Sequence, residues 1–256
     1  MSAELDGRVA IVTGAAGQYG RHISYALAGA GATVVVASRQ LEMCEAFAAE
    51  LVAAGFSAIA LAVDQADETS ITGFVDEVME RLGRIDVLVN NAVLRRGGVP
   101  GETTYQDWAA TSAVNSTGLY WLTTLVAERM AAAGRGSIIN IASIYAMIAP
   151  DFSLFEETAI SPTPPFYAFD KAGMLGLTRY LAAYYGPSGV RVNAISAGGL
   201  LSETMDAAFV DAYSRRTPLR RPAGPEDIKG PLVFLASDAS AYVTGVNLPV
   251  DGGRTL

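Results

Sequence analysis

Arg8-Val9-Ala10-Ile11-Val12-Thr13-Gly14-Ala15-Ala16-Gly17-Gln18-Tyr19-Gly20 is the stretch on which the fold turns. Its first five residues form a short, β-rich apolar run, the next eight are glycine-punctuated, and a helical pattern follows at once. This reads as strand, tight turn and helix. Such a turn lets the backbone approach a pyrophosphate, whose charge the free N–H groups and positive dipole end of the following helix offset.

Working outward, further strand-like runs recur at Thr33 to Ala37, Ala58 to Val63, Val87 to Asn90, Ser137 to Ile141, Val190 to Ile195 and Val246 to Val250, with helical stretches between them. The alternation predicts an α/β fold: a Rossmann-type, doubly wound parallel sheet of about seven strands with helices on both faces and a ligand crevice at the strands' carboxyl ends. Gly14, Asp64, Asn90, Ser143 and Ser196 all fall at such ends. A chain of 256 residues without a long linker or low-complexity tract is expected to be one domain, 1–256.

Composition narrows the function. A net charge of −8 disfavours nucleic acid as a partner, and the apolar residues come in pieces too short for a membrane span. The N-terminus lacks a basic segment followed by an apolar one, so a signal peptide is not expected and a cytoplasmic location is. With one cysteine, Cys44, and one histidine, His22, neither an internal disulfide nor a Cys/His zinc cluster is expected, and a Ser-His-Asp hydrolase is disfavoured. No metal is expected.

Tyr167 and Lys171 stand four apart in Tyr-Ala-Phe-Asp-Lys, so on a helix they share one face. An ammonium beside a phenol favours the phenolate and brings a group that ionises near pH ~10 closer to working pH. Together with Thr13-Gly14 and Gly20, Asp64, Asn90-Asn91-Ala92, Asn115, Ser143 and a terminal Asp251-Gly252-Gly253, in that order, the pair resembles the short-chain dehydrogenase/reductase family over nearly the whole chain.

The resemblance implies hydride transfer between a secondary alcohol and a ketone. Tyr167 would be general acid and base, and Lys171 would lower its pKa and hold the nicotinamide ribose. Ser143 would hydrogen-bond the substrate oxygen, and Asn115 would support a proton-relay water. It also places Gly14, Gly17, Gln18, Tyr19, Gly20, Ser38, Arg39, Asp64, Gln65, Asn91, Ala92 and Gly198 at the cofactor. Three positions depart from the family pattern: Gln18 where glycine is common, Val93 where a glycine often completes the Asn-Asn-Ala turn, and Ala197 where proline often precedes Gly198.

The second strand ends Ala37-Ser38-Arg39, without the acidic residue that would bind both adenosine ribose hydroxyls. Arg39 is either a 2′-phosphate partner or a solvated residue at a helix start, so NADP(H) is favoured and NAD(H) stays open. A nucleotide-sensing protein that has lost catalysis is a further alternative, as a fold alone does not guarantee activity.

Specificity is expected in two irregular segments. One runs from Tyr145 to Phe166, where Pro150, Pro162, Pro164 and Pro165 argue against a regular helix and for an ordered active-site loop. It spaces Ser143 and Tyr167 at 24 positions, about twice the usual family separation. The other is a substrate lid over 197–218, with an amphipathic piece from Glu203 to Tyr213. The insertion also resembles proteins of sugar and glycan pathways, which points to a polyhydroxylated small-molecule substrate. Arg95, Arg96, Arg215 and Arg216 are either handles for an anionic substrate group or solvated surface residues. By resemblance the chain is expected to assemble as a homotetramer or homodimer.

Overall fold

The computed structural model describes residues 4–156, 158, 160–202 and 204–256. Glu203, the expected start of the amphipathic piece, lies outside the described residues, as do 157 and 159 of the insertion and 1–3 of the N-terminus.

The seven predicted strands form within three residues of their expected bounds: β1 Val9–Thr13, β2 Thr33–Ser38, β3 Ala58–Ala62, β4 Val87–Asn90, β5 Gly136–Ser143, β6 Val190–Ala197 and β7 Asn247–Val250. They build one sheet in the order β3-β2-β1-β4-β5-β6-β7, and every neighbouring pair is parallel. Because side chains alternate across a strand, both faces must be covered, and the run Val9 to Val12 shows how. Ala10 and Val12 pack with Ile23 and Leu27 of α1 (Gln18–Gly29), Phe47 of α2 (Leu41–Ala53) and Leu232 of a late helix, Lys229–Ala236. Val9 and Ile11 pack on the other face with Phe74 of α3 (Glu68–Leu82). The sequence order reverses between β1 and β4, which opens the crevice where the glycine turn meets the end of β4.

Two helices follow β4. α4 (Tyr105–Ser112) starts in a capping box of Thr104 and Asp107 and runs, through a π-helical turn at Ala113–Gly118, into α5 (Leu119–Ala132). Gly118 packs where a Cβ would fall 1.8 Å from the Gln65 carbonyl oxygen, which draws the turn against the strand-end loop after β3.

The insertion differs from the expected loop. Ser143 caps a 3-10 turn at Ile144–Ala146, and between Pro150 and Pro162 a single helical turn forms, α6 (Ser153–Glu156). Pro165 does not obstruct helix: it occupies the first turn of α7 (Pro165–Tyr185), where its missing N–H costs nothing. The segment expected as a lid contains α8 (Ala207–Arg215), capped by the Asp206 carboxylate, and Lys229–Ala236 is α9.

The segment around α6 packs on α8. Leu154 joins Ala212, Tyr213 and Phe209 in a small apolar cluster, and the rings of Phe155 and Phe209 lie 6.1 Å apart. Asp151 ties them electrostatically, 2.9 Å from Arg216 Nε, with Arg254 at 3.9 Å.

Candidate active site

The site grows from the turn after β1. Gly14 adopts φ 61°, and a Cβ there would fall 2.9 Å from Ala92 Cα, so only glycine lets the turns after β1 and β4 touch. Thr13 Oγ1 accepts from the N–H groups of Asn91 and Ala92 at 3.0 Å each, and Asn91 Nδ2 donates to the Thr13 and Gly14 carbonyls at 3.0 and 3.1 Å. Asn91 thus shapes the crevice rather than facing it. Asn90 points into the interior, donating to Thr123 Oγ1 at 2.9 Å and Asn140 Oδ1 at 2.8 Å.

Gly20 is fixed as tightly, since a Cβ there would sit 2.1 Å from the Gly14 carbonyl oxygen. α1 begins at Gln18 behind Gly17, which offers no side-chain cap, so the first-turn N–H groups face the crevice as anion donors. Gln18 is exposed. Tyr19 crosses the crevice instead, its hydroxyl donating to the Gly198 carbonyl at 2.8 Å, while Gly198 N–H is paired to Val250.

A cleft of about 210 Å³ continues from this turn, lined by Gly14, Ser38, Arg39, Asp64, Gln65 and Ala92 among others. Six residues expected at the cofactor therefore converge there. Ser38 Oγ accepts from the Gln40 N–H at 3.2 Å and lies 3.0 Å from Cys44 Sγ, shaping the loop, whereas Arg39 is exposed on the cleft wall. Asp64 Oδ1 accepts from Ala66 N–H at 2.9 Å. The donor set and shape fit a dinucleotide: uncapped helix N–H groups for pyrophosphate, a polar wall for adenosine, and an exposed cation beside it.

At the other end of the crevice stand Tyr167, in the first turn of α7, and Lys171 one turn on, both buried. Lys171 Nζ donates to the Ile141 carbonyl at 2.5 Å and lies 5.7 Å from the Tyr167 ring centroid. Burial alone would push the Tyr167 phenol up. Lys171, Arg95 and hydrogen bonding from Ser143 and Arg95 outweigh it and hold the phenol below its ordinary value. Burial, the larger influence on Lys171, holds its ammonium below its usual range even though Tyr167 opposes this. Tyr145 closes the site edge-on, its ring 6.4 Å from that of Tyr167 and its own hydroxyl pushed up to about 12 by burial.

Asn115 sits in the π-helical turn, and its side chain is fully engaged. Oδ1 accepts from Leu94 N–H at 2.8 Å, and Nδ2 donates to the Leu94 carbonyl and to Asp170 Oδ2, both at 2.9 Å. Asp170 also accepts from Ser116 Oγ at 3.1 Å, and burial raises its carboxyl pKa despite these donors. The four nominated arginines separate. Arg95 lies over the Tyr167 ring, 4.4 Å from its centroid. Arg96 instead acts on Asp107, Arg215 pairs with Asp211 on α8, and Arg216 with Asp151.

Sequence reasoning left Tyr145, Asp170 and Tyr213 unassigned. Tyr213 Oη accepts from Gly199 N–H at 2.8 Å and braces the loop after β6. Only for Asp170 was there a signal, a carboxylate inside the Tyr-Ala-Phe-Asp-Lys motif itself. Among the described residues no group of three or more His, Cys, Asp or Glu side chains converges to hold a metal, and no helix is long and apolar enough to cross a membrane.

Comparison with known proteins agrees with this geometry. A family model described as enoyl-(acyl carrier protein) reductase matches residues 14–255. A D-threitol dehydrogenase of Mycolicibacterium smegmatis is 39% identical over 98% of this chain and 94% of its own. A gluconate 5-dehydrogenase of Gluconobacter oxydans is 31% identical, covering 98% and 96%. The crystal structure of a gluconate 5-dehydrogenase from Burkholderia cenocepacia in complex with NADP and tartrate superimposes with a TM-score of 0.89 at 34% identity, covering 99% of this chain and 97% of that one. The chain belongs to the short-chain dehydrogenase/reductase family, oxidoreductases that act on CH–OH groups.

Proposed function

We propose that this member of the short-chain dehydrogenase/reductase family interconverts a secondary alcohol and a ketone on a polyhydroxylated small molecule, with NADP(H) as cofactor. The observation that carries the reading is the buried Tyr167 phenol with two cations beside it, Lys171 Nζ 5.7 Å and the Arg95 guanidinium 4.4 Å from its ring centroid, which hold its pKa below the ordinary value. When bound, the cofactor supplies or accepts the hydride.

The chain's own residues do the rest. Tyr167 gives a proton to the alkoxide oxygen in reduction and removes one from the alcohol in oxidation. Ser143 donates to the same substrate oxygen, stabilising its developing charge. Lys171, fixed by the Ile141 carbonyl, favours the phenolate and is placed to hold ribose hydroxyls. Because the Asn115 amide is taken up by Leu94 and Asp170, that residue supports a relay water through its main chain. Gly14, Gly17, Gly20 and the first turn of α1 hold the pyrophosphate, Asp64 and Gln65 the adenine side, and Arg39 the 2′-phosphate.

The names of D-threitol and gluconate dehydrogenases among the relatives support a polyol or sugar-acid substrate. The exposed Tyr120, Phe169, Tyr180 and Tyr184 on α5 and α7, with open space at Gly173 and Gly176, suit assembly with further copies of the chain. Absorbance assays with D-threitol and gluconate against NADP⁺ and NAD⁺ test the reaction. Tyr167→Phe is expected to abolish turnover while NADPH fluorescence titration still shows binding; full activity in that variant sinks the assignment.

A further inference from the structure

Arg95 stands beside the general acid. Its guanidinium lies over the ring of the general acid, 4.4 Å from the centroid. A guanidinium carries five donors in a rigid fork, and lying over a ring face leaves its edges open. Among the described residues it has no carboxylate partner, although the chain has 26 acidic residues against 18 basic ones and could readily have supplied one. The nearby acids are committed elsewhere: Asp170 to Asn115 and Ser116, Asp151 to Arg216 and Arg254.

The backbone beside Arg95 is rigid. Leu94, the preceding residue, is clamped through both its N–H and its carbonyl by the Asn115 amide, and Asn115 is braced in turn by Asp170. A long, costly-to-order side chain thus lies exposed at the crevice beside the general acid, on a hydrogen-bonded base.

We infer that Arg95 is a specificity-determining residue that binds a carboxylate on the substrate, so that hydroxy or keto acids are preferred over neutral polyols of the same skeleton. This deepens the hydride-transfer reading above and rests on it. One guanidinium edge presents two parallel N–H groups, which matches a carboxylate, and a single uncommitted cation balances one negative charge. In the empty site Arg95 leans on the phenol; a substrate carboxylate competes for it and moves its charge off Tyr167.

The test uses tartrate and D-threitol, which share a four-carbon skeleton and differ in having carboxylates or hydroxymethyl groups at the ends. Calorimetric titration of the NADP⁺-loaded protein is expected to show tartrate binding that weakens roughly tenfold or more in Arg95→Gln and is largely restored in Arg95→Lys. In turnover, Arg95→Gln is expected to lower kcat on both substrates, because Tyr167 loses a neighbouring cation, and to raise the KM for gluconate roughly tenfold more than that for D-threitol. Tartrate binding that is absent in the wild type or unchanged in Arg95→Gln overturns the inference. So does an equal change in KM for gluconate and D-threitol, which would make Arg95 a tuner of Tyr167 only. The two readings fail separately: retained turnover in Tyr167→Phe removes the hydride chemistry without altering the tartrate isotherm, whereas an unchanged isotherm in Arg95→Gln removes the carboxylate clamp and leaves that chemistry standing.

Discussion

Replacing Asp170 probes the brace behind the site. Its carboxylate accepts from Asn115 Nδ2 at 2.9 Å and from Ser116 Oγ at 3.1 Å, across about fifty-five residues of sequence. Asp170→Ala leaves one buried amide N–H and one half-buried hydroxyl without these acceptors. An orphaned buried donor costs about 1–3 kcal/mol, with the hydroxyl at the low end because water reaches it, and the removed buried charge offsets part of the sum. The expected net loss is about 2–3 kcal/mol in urea unfolding at neutral pH.

Asp170→Asn keeps an oxygen for Asn115 and turns an amide N–H toward Ser116, so the loss should stay under about 1 kcal/mol. The pH dependence has a definite sign. The folded carboxyl pKa lies above its ordinary value, so ionisation costs stability: the acid's contribution is full below the ordinary pKa and is lost as pH rises through the folded one. The advantage of wild type over Asp170→Asn should therefore shrink between about pH 4 and pH 7. Equal stability of wild type and Asp170→Ala, or equal loss in the Ala and Asn variants, would refute the brace.

Lys171→Met removes the principal cation beside Tyr167, so the phenol pKa rises and the ascending, acid-side limb of the oxidation profile should move to higher pH; an unmoved limb would show that Lys171 does not tune the phenol. In Gly20→Ala the new methyl would meet the Gly14 carbonyl at 2.1 Å, so the turn must open, and NADPH affinity measured by fluorescence should drop roughly tenfold or more. Arg39→Ala should raise the KM for NADPH by about ten- to a hundredfold and leave NADH little changed, whereas equal effects on both would remove the 2′-phosphate role.

What the sequence determined by itself was what local geometry dictates. Seven apolar runs separated by helical stretches required a parallel sheet, because strands buried on both faces have no other stable arrangement. Gly14 and Gly20 marked the crevice because a Cβ would fall 2.9 Å from Ala92 Cα at the first and 2.1 Å from the Gly14 carbonyl oxygen at the second. Tyr167 and Lys171 were legible because helical spacing puts residues four apart on one face.

Tertiary structure decided everything that joins distant residues. Arg95 meets Tyr167 across more than seventy positions, Tyr19 meets Gly198 across the crevice, and Asp151 binds the insertion to the lid. The same contacts separated Arg95 from Arg96, Arg215 and Arg216, which the sequence could only nominate together. Periodicity and turn chemistry fix the path of the chain over a few residues. Which charged side chain keeps its partner and which is left facing the reacting oxygen depends on distances set only when the sheet closes the crevice.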